Sequence, residues 1–241
     1  MCVDGYGSGH GVTRLLNSST IGVMPETDAI MEAASEQLAL MNYLDAETKC
    51  LEALSIARHN GQWDYYSRIL MPLLECRRQR RMIAAEGTVR IGTNDLEFNA
   101  DEWLSRCPTG CVVVTAPHTP ADALELRSIA RQSTNYVEVL FADRSSWSVQ
   151  SLAGPSVSCK VAAPTANTTD QWLEQSTTAG DWFIDAMEAL GDAALATVDH
   201  NADPIAQIES LEHCLETVTD HEIIHQRLAD AARAARFVGN A

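Results

Sequence analysis

The stretch Asn42–Ala57, NYLDAETKCLEALSIA, decides how the first third of this 241-residue chain folds. Its alanines Ala46 and Ala53 lie seven residues apart with Cys50 between them, so the small side chains share one face of a helix. Two helices approach each other closely only where the side chains between them are small. The stretch therefore predicts a helix that packs against its neighbours through a face of small residues.

Further helices are predicted on both sides of this stretch. Residues 25–41 carry apolar side chains at helical spacing, and a third helix is predicted to begin near Gln62. Pro72 is expected to kink this third helix without ending it, because a helical composition continues beyond it. We expect helices throughout residues 25–86, arranged as a helical hairpin.

This segment resembles the tetratricopeptide repeat, a family that keeps an aromatic residue at the turn and small residues where its helices touch. Tyr43 stands at the turn position, the alanines of the quoted stretch stand at the small positions, and Trp63 resembles the start of a following repeat. The resemblance covers residues 26–82, about one and a half repeats, and departs from the family at Ile30, where a tryptophan is usual. It implies a surface for a protein or peptide partner.

Residues 87–166 change to apolar runs typical of strands, which predicts a small α/β module. The runs Cys111–Thr115 and Tyr136–Ala142 are separated by about a dozen residues of helical pattern, so strand, helix and strand predict a parallel βαβ unit. Shorter runs at residues 147–152 and 157–162 predict an antiparallel hairpin. We therefore expect a mixed sheet of three to five strands.

The two ends of the chain complete the predicted organisation. Residues 1–24 are rich in Gly and Ser and predict a flexible tail. Residues 167–241 predict helices that pack on the α/β module, with an interruption at Thr177–Gly180 and a last helix opened by a capping box between Thr219 and Glu222. The predicted fold class is α+β.

The charge balance excludes several kinds of partner. The chain has 33 acidic and 17 basic residues, and its last 72 residues hold 14 acidic residues against three arginines. A negative field repels nucleic acid and anionic lipid, so we expect neither a nucleic-acid nor a membrane partner. Seven mostly distant cysteines and an N-terminus without a signal-peptide pattern predict a cytoplasmic protein with reduced thiols.

The string His221-Glu222-Ile-Ile-His225 resembles the zincin metalloprotease signature. On a helix both histidines could hold Zn²⁺ while Glu222 polarises a water molecule. A third ligand is expected further along the chain, where Asp230 lies too close on the same helix. The competing interpretation is a solvent-exposed stripe of histidines that includes His213. We predict no metal and no cofactor, with a zinc-dependent hydrolase as the alternative.

Three other sets of residues could carry chemistry. The basic run at residues 77–81, RRQRR, could bind a phosphate or an acidic partner segment, or pair with carboxylates of the chain itself. Cys107 and Cys111 are spaced like half a zinc site, and buried thiols are the competing interpretation. The loops at His118 and Asp143 follow the predicted parallel strands, where an α/β sheet binds small ligands.

None of these sets predicts a complete catalytic centre. The function predicted from the sequence is therefore a non-enzymatic protein–protein interaction or scaffold role with a protein or peptide partner. A small-ligand-binding α/β domain is a second alternative beside the zinc-dependent hydrolase.

Overall fold

A computed structural model describes residues 26–92, 98–133, 135–164 and 177–238, which form eight helices and one five-stranded sheet. The helices are α1 (Glu26–Ala39), α2 (Tyr43–His59), α3 (Trp63–Glu86), α4 (Ala100–Arg106), α5 (Pro120–Gln132), α6 (Thr177–Leu195), α7 (Pro204–Thr217) and α8 (Glu222–Val238). The strands are β1 (Thr88–Ile91), β2 (Thr109–Val114), β3 (Tyr136–Asp143), β4 (Ser148–Gln150) and β5 (Ser158–Lys160). The α+β class is confirmed. The predicted tail at residues 1–24 lies outside the described residues.

Helices α1, α2 and α3 pack side by side through small residues. Five of these residues are fully buried, and we call them the small-residue seam: Ala34, Ala46, Cys50, Ala53 and Ala57. Four of the five come from α2, whose small face contacts both neighbouring helices. The predicted packing of the quoted stretch is thus confirmed, whereas its resemblance to the tetratricopeptide repeat stays a prediction.

Helix α3 is continuous over 24 residues with Pro72 inside it, which confirms that Pro72 does not end the helix, while the predicted kink stays a prediction. Its first half supplies Ile69, Leu70 and Leu73 to a hydrophobic core shared with α2, α7 and α8. Near its end, Ala84 belongs to a different core, formed with the sheet and α6. Helix α3 therefore connects the helical hairpin to the α/β module.

The sheet has the strand order β1-β2-β3-β4-β5, with β1, β2 and β3 parallel and the last two strands antiparallel to their neighbours. The predicted βαβ unit and hairpin are both confirmed. Along β2, Cys111 and Val113 lie in the core with α6, while Val112 and Val114 lie in the core with α4 and α5. Helices cover both faces of this strand, which explains its uninterrupted apolar run.

Helix α5 begins as the sequence predicts, at Thr119 and Pro120. The Thr119 hydroxyl accepts a hydrogen bond from the amide of Asp122, and the Asp122 carboxylate accepts one from the amide of Thr119. This capping box fixes the start of the helix. It thereby places Arg127 and Arg131, four residues apart, on one face of α5.

Two predicted helix boundaries in the C-terminal segment are wrong. Thr177–Gly180 is the first turn of α6 and not an interruption, because Gly180 lies against α3, where a Cβ atom would come within 2.6 Å of the Ala85 carbonyl oxygen. Helix α8 begins at Glu222, so Thr219 lies outside the helix and does not cap it. The Nδ1 atom of His221 accepts a hydrogen bond from the Ile224 amide at 3.4 Å instead.

The C-terminal helices also divide differently from the prediction. Helix α6 packs on the sheet and on the end of α3, as expected. Helix α8 packs on α3 and on α7, while α7 packs on α8 and α6, and the apolar faces of α7 and α8 complete the core of the helical hairpin. Among the described helices, none combines the length and apolar character needed to cross a membrane.

Candidate binding cleft

The second half of α3 carries buried arginines that pair with carboxylates from other elements. Arg80 donates hydrogen bonds to Glu47 of α2 at 2.6 Å and to Glu138 of β3 at 2.9 Å, and each of these side chains is at most 10% exposed. Arg77 donates to the second Glu47 oxygen at 2.9 Å and to the Thr219 carbonyl at 2.9 Å. The predicted pairing of these arginines with the chain's own carboxylates is therefore confirmed.

Arg81 extends this arrangement toward α6 and α8. It donates a hydrogen bond to Glu188, and its Nε atom lies 2.7 Å from an oxygen of Asp220. Burial raises the pKa of Asp220 to about 6, although the positive charge of Arg81 opposes the shift. We call the six buried or nearly buried charged residues the ionic layer: Glu47, Arg77, Arg80, Arg81, Glu138 and Asp220.

Beside the ionic layer, a cavity of about 370 Å³ lies between α2, α3 and α5. We call it the arginine cleft, because Arg77, Arg80 and Arg131 all line it. The carboxylates of Asp45 and Glu47 line it as well, and Glu47 is already shared by Arg77 and Arg80. Of the three arginines in this lining, Arg131 is the one that does not pair with Glu47.

Arg131 lies in the last turn of α5 and is exposed to the cleft. Across the described ranges, no carboxylate oxygen lies within 4.0 Å of its guanidinium. Desolvation lowers the pKa of Arg131, and the neighbouring charges of Arg80 and Arg77 lower it further while Glu138 raises it. The group still carries its proton at neutral pH because an arginine titrates so far above it. The cleft thus contains one cation without a carboxylate partner.

Arg127, one turn earlier on α5, shows how crowded the positive charge is on this face. It is buried and donates a hydrogen bond to the Glu216 carbonyl at 3.4 Å. Desolvation lowers the pKa of Arg127 to about 10, and the charge of Arg131 contributes to the shift. Guanidinium groups bind carboxylate and phosphate oxygens in pairs of parallel hydrogen bonds. An anion in the cleft would relieve this crowding.

A second cavity, of about 220 Å³, adjoins the arginine cleft and shares Arg77, Arg131 and Thr219 with it. We call it the leucine chamber after four of its residues, which share its lining with charged side chains: Leu54, Leu73, Leu215 and Leu228. Glu212 also lines it and is held there by Arg58 at 3.1 Å and by the Tyr66 hydroxyl at 2.6 Å. Arg131 therefore stands where the two cavities meet.

The residues of the HEIIH string do not form a zinc site. The Nε2 atom of His221 lies 3.3 Å from Asp192 on α6, while Nδ1 of His225 donates a hydrogen bond to the His221 carbonyl at 3.1 Å. Glu222 is exposed and accepts a hydrogen bond from Gln226. The three side chains thus have separate partners. Among the described residues, no group of three or more His, Cys, Asp or Glu could hold a metal ion.

The alternative of an exposed histidine stripe is also wrong. His221 and His225 are 1% and 0% exposed, and of the three histidines only His213 lies at the surface. The reason is that the ring of His221 lies against Gly191 of α6, and that His225 belongs to α8, which packs on α3. Burial, helped by the positive charge of Arg77, lowers the pKa of His225 to about 4, and Nε2 of His225 has no hydrogen-bond partner among the described residues.

The remaining predicted sites are not brought together. Cys107 and Cys111 lie in cores on opposite faces of the sheet, so the half zinc site is wrong and the buried-thiol interpretation is confirmed. His118 is buried with its ring 5.3 Å from that of Trp103, whereas Asp143 is half-buried and accepts hydrogen bonds from Ser145. A small-ligand pocket at these two loops stays a prediction.

Sequence reasoning missed Arg131 and Glu138. The available signal for Arg131 was an arginine in the last turn of a predicted helix, which is the ordinary place for a cation that offsets the helix dipole. Glu138 was a single charge inside the apolar run of β3, and a buried charge requires a partner. That second signal could have pointed to the arginines of α3.

Comparisons with protein-family models, with curated proteins and with solved structures each gave no significant match to this chain. The function therefore has to be argued from the residues and the geometry of the cleft.

Proposed function

We propose that this protein is a non-enzymatic binding protein, and that its arginine cleft receives a carboxylate of a partner polypeptide. The observation that carries this proposal is that Arg131 lines a cavity beside Arg77 and Arg80 and has no carboxylate within ion-pair distance among the residues that the structure describes. Three guanidinium groups line one cavity, and two of them already share Glu47, so Arg131 is the one that a ligand carboxylate would meet.

Two further features support a polypeptide as the source of that carboxylate. Helix α2 forms one wall of the cleft, and it belongs to the hairpin whose sequence resembles a peptide-binding repeat. The formal net charge of −16 disfavours an extended polyanion such as nucleic acid, because repulsion grows with each charge of the ligand. A polypeptide can present one carboxylate without such repulsion.

We also propose that the protein resides in the cytoplasm. All six cysteines in the described part of the chain are free thiols, and five of them are buried. Free thiols in this number are typical of proteins in a reducing compartment.

Selection from random peptide libraries tests the binding function. One library displays peptides with free C-termini and the other displays internal segments, and both are selected on the wild-type protein. We expect enriched peptides to bind about tenfold or more weakly to the Arg131→Ala variant, because it removes a charge-assisted hydrogen bond. The Arg78→Ala variant is the matched control, since Arg78 is exposed on α3 and does not line the cleft.

The outcomes are distinct. Loss of affinity in Arg131→Ala with full affinity in Arg78→Ala supports the proposal, provided that both variants keep the wild-type melting temperature. Enriched peptides that bind Arg131→Ala as tightly as the wild type would overturn it. A failure of both libraries to yield an enriched peptide would overturn it as well.

A further inference from the structure

We infer that the partner polypeptide of the arginine cleft also covers the turn between α1 and α2 with apolar side chains of its own; this inference rests on the proposed function. The turn carries two consecutive apolar residues, Leu40 and Met41, which are 63% and 68% exposed. Among the large apolar side chains of the described residues, only Phe237 is more exposed. We call Leu40 and Met41 the apolar turn.

The backbone of Met41 has a conformation that normally selects glycine. Its φ is 59°, in the left-handed region, where a Cβ atom comes too close to the following carbonyl oxygen. Its amide donates a hydrogen bond to the Leu38 carbonyl at 3.0 Å, and the Asn42 amide donates one to the Gln37 carbonyl at 2.9 Å. These two bonds form the Schellman motif that ends a helix, in which glycine is the usual left-handed residue.

The next turn of the chain repeats this motif with glycine. Gly61 has a φ of 63°, and its amide donates a hydrogen bond to the Arg58 carbonyl at 3.3 Å. The Gln62 amide donates one to the Ala57 carbonyl at 2.8 Å. A Cβ atom at Gly61 would meet no atom within 4 Å, so a larger residue has room there. The two turns thus share one backbone conformation, and only the first carries a strained apolar residue.

The fold alone does not account for Met41. Methionine in the left-handed region costs stability relative to glycine, and a side chain that is 68% exposed recovers little of that cost through burial. A residue that breaks a local rule without a structural gain is expected where function requires it. The gain that an exposed apolar side chain can supply is a contact with a partner that covers it.

The arginine cleft indicates which partner covers the apolar turn. Leu44 and Asp45 line the cleft, and Leu44 follows Met41 by only three residues. At about 3.8 Å per residue, the Cα atoms of Met41 and Leu44 are at most about 11 Å apart. A few residues of an extended polypeptide span that distance. A partner that places a carboxylate at Arg131 is therefore long enough to reach the apolar turn.

The charges beside the apolar turn disfavour other occupants. Glu36 precedes the turn on α1, Asp45 follows it on α2, and both are exposed. These carboxylates repel the headgroups of anionic lipids, and they would repel each other across a two-fold contact between two copies of this chain. A segment with one carboxylate for Arg131 and uncharged apolar residues beside it complements both the cleft and the turn.

The two turns supply a matched pair of variants that tests this inference. Peptides enriched on the wild-type protein are measured by fluorescence anisotropy on Met41→Gly and on Gly61→Met. We expect Met41→Gly to bind about tenfold more weakly, because the apolar contact is lost. Its melting temperature should rise by about 2–4 °C, because the strain is lost as well. Gly61→Met should bind like the wild type and melt at a lower temperature.

The outcomes separate this inference from the proposed function. Peptides that depend on Arg131 but bind Met41→Gly as tightly as the wild type would overturn the inference and leave the proposed function standing. A lower melting temperature in Met41→Gly would also overturn it, because Met41 would then serve the fold. Peptides that do not depend on Arg131 would overturn both.

Two control measurements address the other occupants directly. The wild type and Met41→Gly are sedimented with phosphatidylcholine vesicles, and their masses in solution are compared. We expect neither protein to bind the vesicles and both to have the same mass. Vesicle binding that Met41→Gly abolishes would assign the apolar turn to lipid, and a wild-type dimer that Met41→Gly dissociates would assign it to a second copy; either result would overturn the inference.

Discussion

Two consecutive residues of α2 belong to opposite kinds of interface. Ala46 is part of the small-residue seam, and Glu47 is part of the ionic layer. The seam holds α1, α2 and α3 together by close contact between small apolar groups, while the ionic layer connects α2 and α3 to β3 through charges. Helix α2 is thus held on one side by the close packing of small side chains and on the other by buried ion pairs.

The two interfaces fail in different ways. A seam of small residues has no room for additional atoms, so it is sensitive to enlargement. Buried charges have already lost their hydration, so the ionic layer is sensitive to the removal of any partner. Substitutions that disrupt one interface at a time should therefore have separable effects on stability.

Replacing Arg80 by methionine should have the largest effect. Arg80→Met leaves Glu138 buried without its cation, which should lower the free energy of unfolding by roughly 3–5 kcal/mol, measured by urea denaturation at pH 7. Lys49→Met is the matched control on α2, because the exposed pair of Lys49 with Glu52 contributes at most about 0.5 kcal/mol.

A second variant separates charge from packing in this experiment. Replacing Glu138 by leucine together with Arg80→Met should recover most of the loss, because no buried charge is then left unpaired on β3. A double variant as unstable as Arg80→Met alone would show that the arginine acts through its packing and not through the pair.

The pH dependence of the free energy of unfolding tests the burial of His225, which lies near Arg77 of the ionic layer. The pKa of His225 is about 4 in the folded protein, below the ordinary value of 6.5. The unfolded chain therefore takes up a proton first as the pH falls, and stability is lost between pH 6.5 and 4, by up to about 3 kcal/mol. His225→Asn keeps a donor for the His221 carbonyl and does not titrate, so its loss of stability over this range should be smaller by about that amount.

The difference between the two pH profiles isolates His225. Asp220 acts in the opposite sense, because its raised pKa of about 6 means that the folded protein holds a proton that the unfolded chain releases. This contribution is common to wild type and His225→Asn and cancels in the difference. Profiles that run parallel from pH 7 to pH 4 would contradict the prediction.

Enlarging the small-residue seam should have the smallest of the three effects. Ala53 is fully buried, so Ala53→Leu must displace atoms of α1 or α3 and should lower the free energy of unfolding by roughly 1–3 kcal/mol. Ser55→Leu adds leucine to the exposed side of the same helix and should change stability by less than about 0.5 kcal/mol. Equal effects from the two substitutions in urea denaturation would show that the seam is not closely packed.

The parts of the fold that depend on local pattern were predictable from the sequence. The small-residue face of α2, the cap of α5 at Thr119, the βαβ unit and the β4–β5 hairpin are each defined by residues close together in the chain. The start of α6 was not predictable from local pattern. Gly180 lies inside the helix because it packs against Ala85, almost a hundred residues earlier, where there is no room for a Cβ atom. Sequence spacing alone does not show which helix another helix will meet.

The candidate site was predictable only in part. Pairing of the α3 arginines was expected from the number of carboxylates, but the partners Glu47 and Glu138 come from two different elements. Whether Arg131 pairs with a carboxylate depends on how distant parts of the chain pack around it. Its lack of such a partner among the described residues could therefore not be predicted from a local pattern. The burial of His225 likewise follows from the packing of α8 on α3.

Because α3 contributes residues to two hydrophobic cores, fragments of this chain are not expected to fold on their own. A fragment that begins at Gly87 would retain the whole sheet but lack Ala84 and Arg80. Its hydrophobic core would be incomplete, and Glu138 would lose its ion-pair partner. The hairpin and the α/β part are therefore not interchangeable modules. We therefore expect the two parts to unfold together in one cooperative transition.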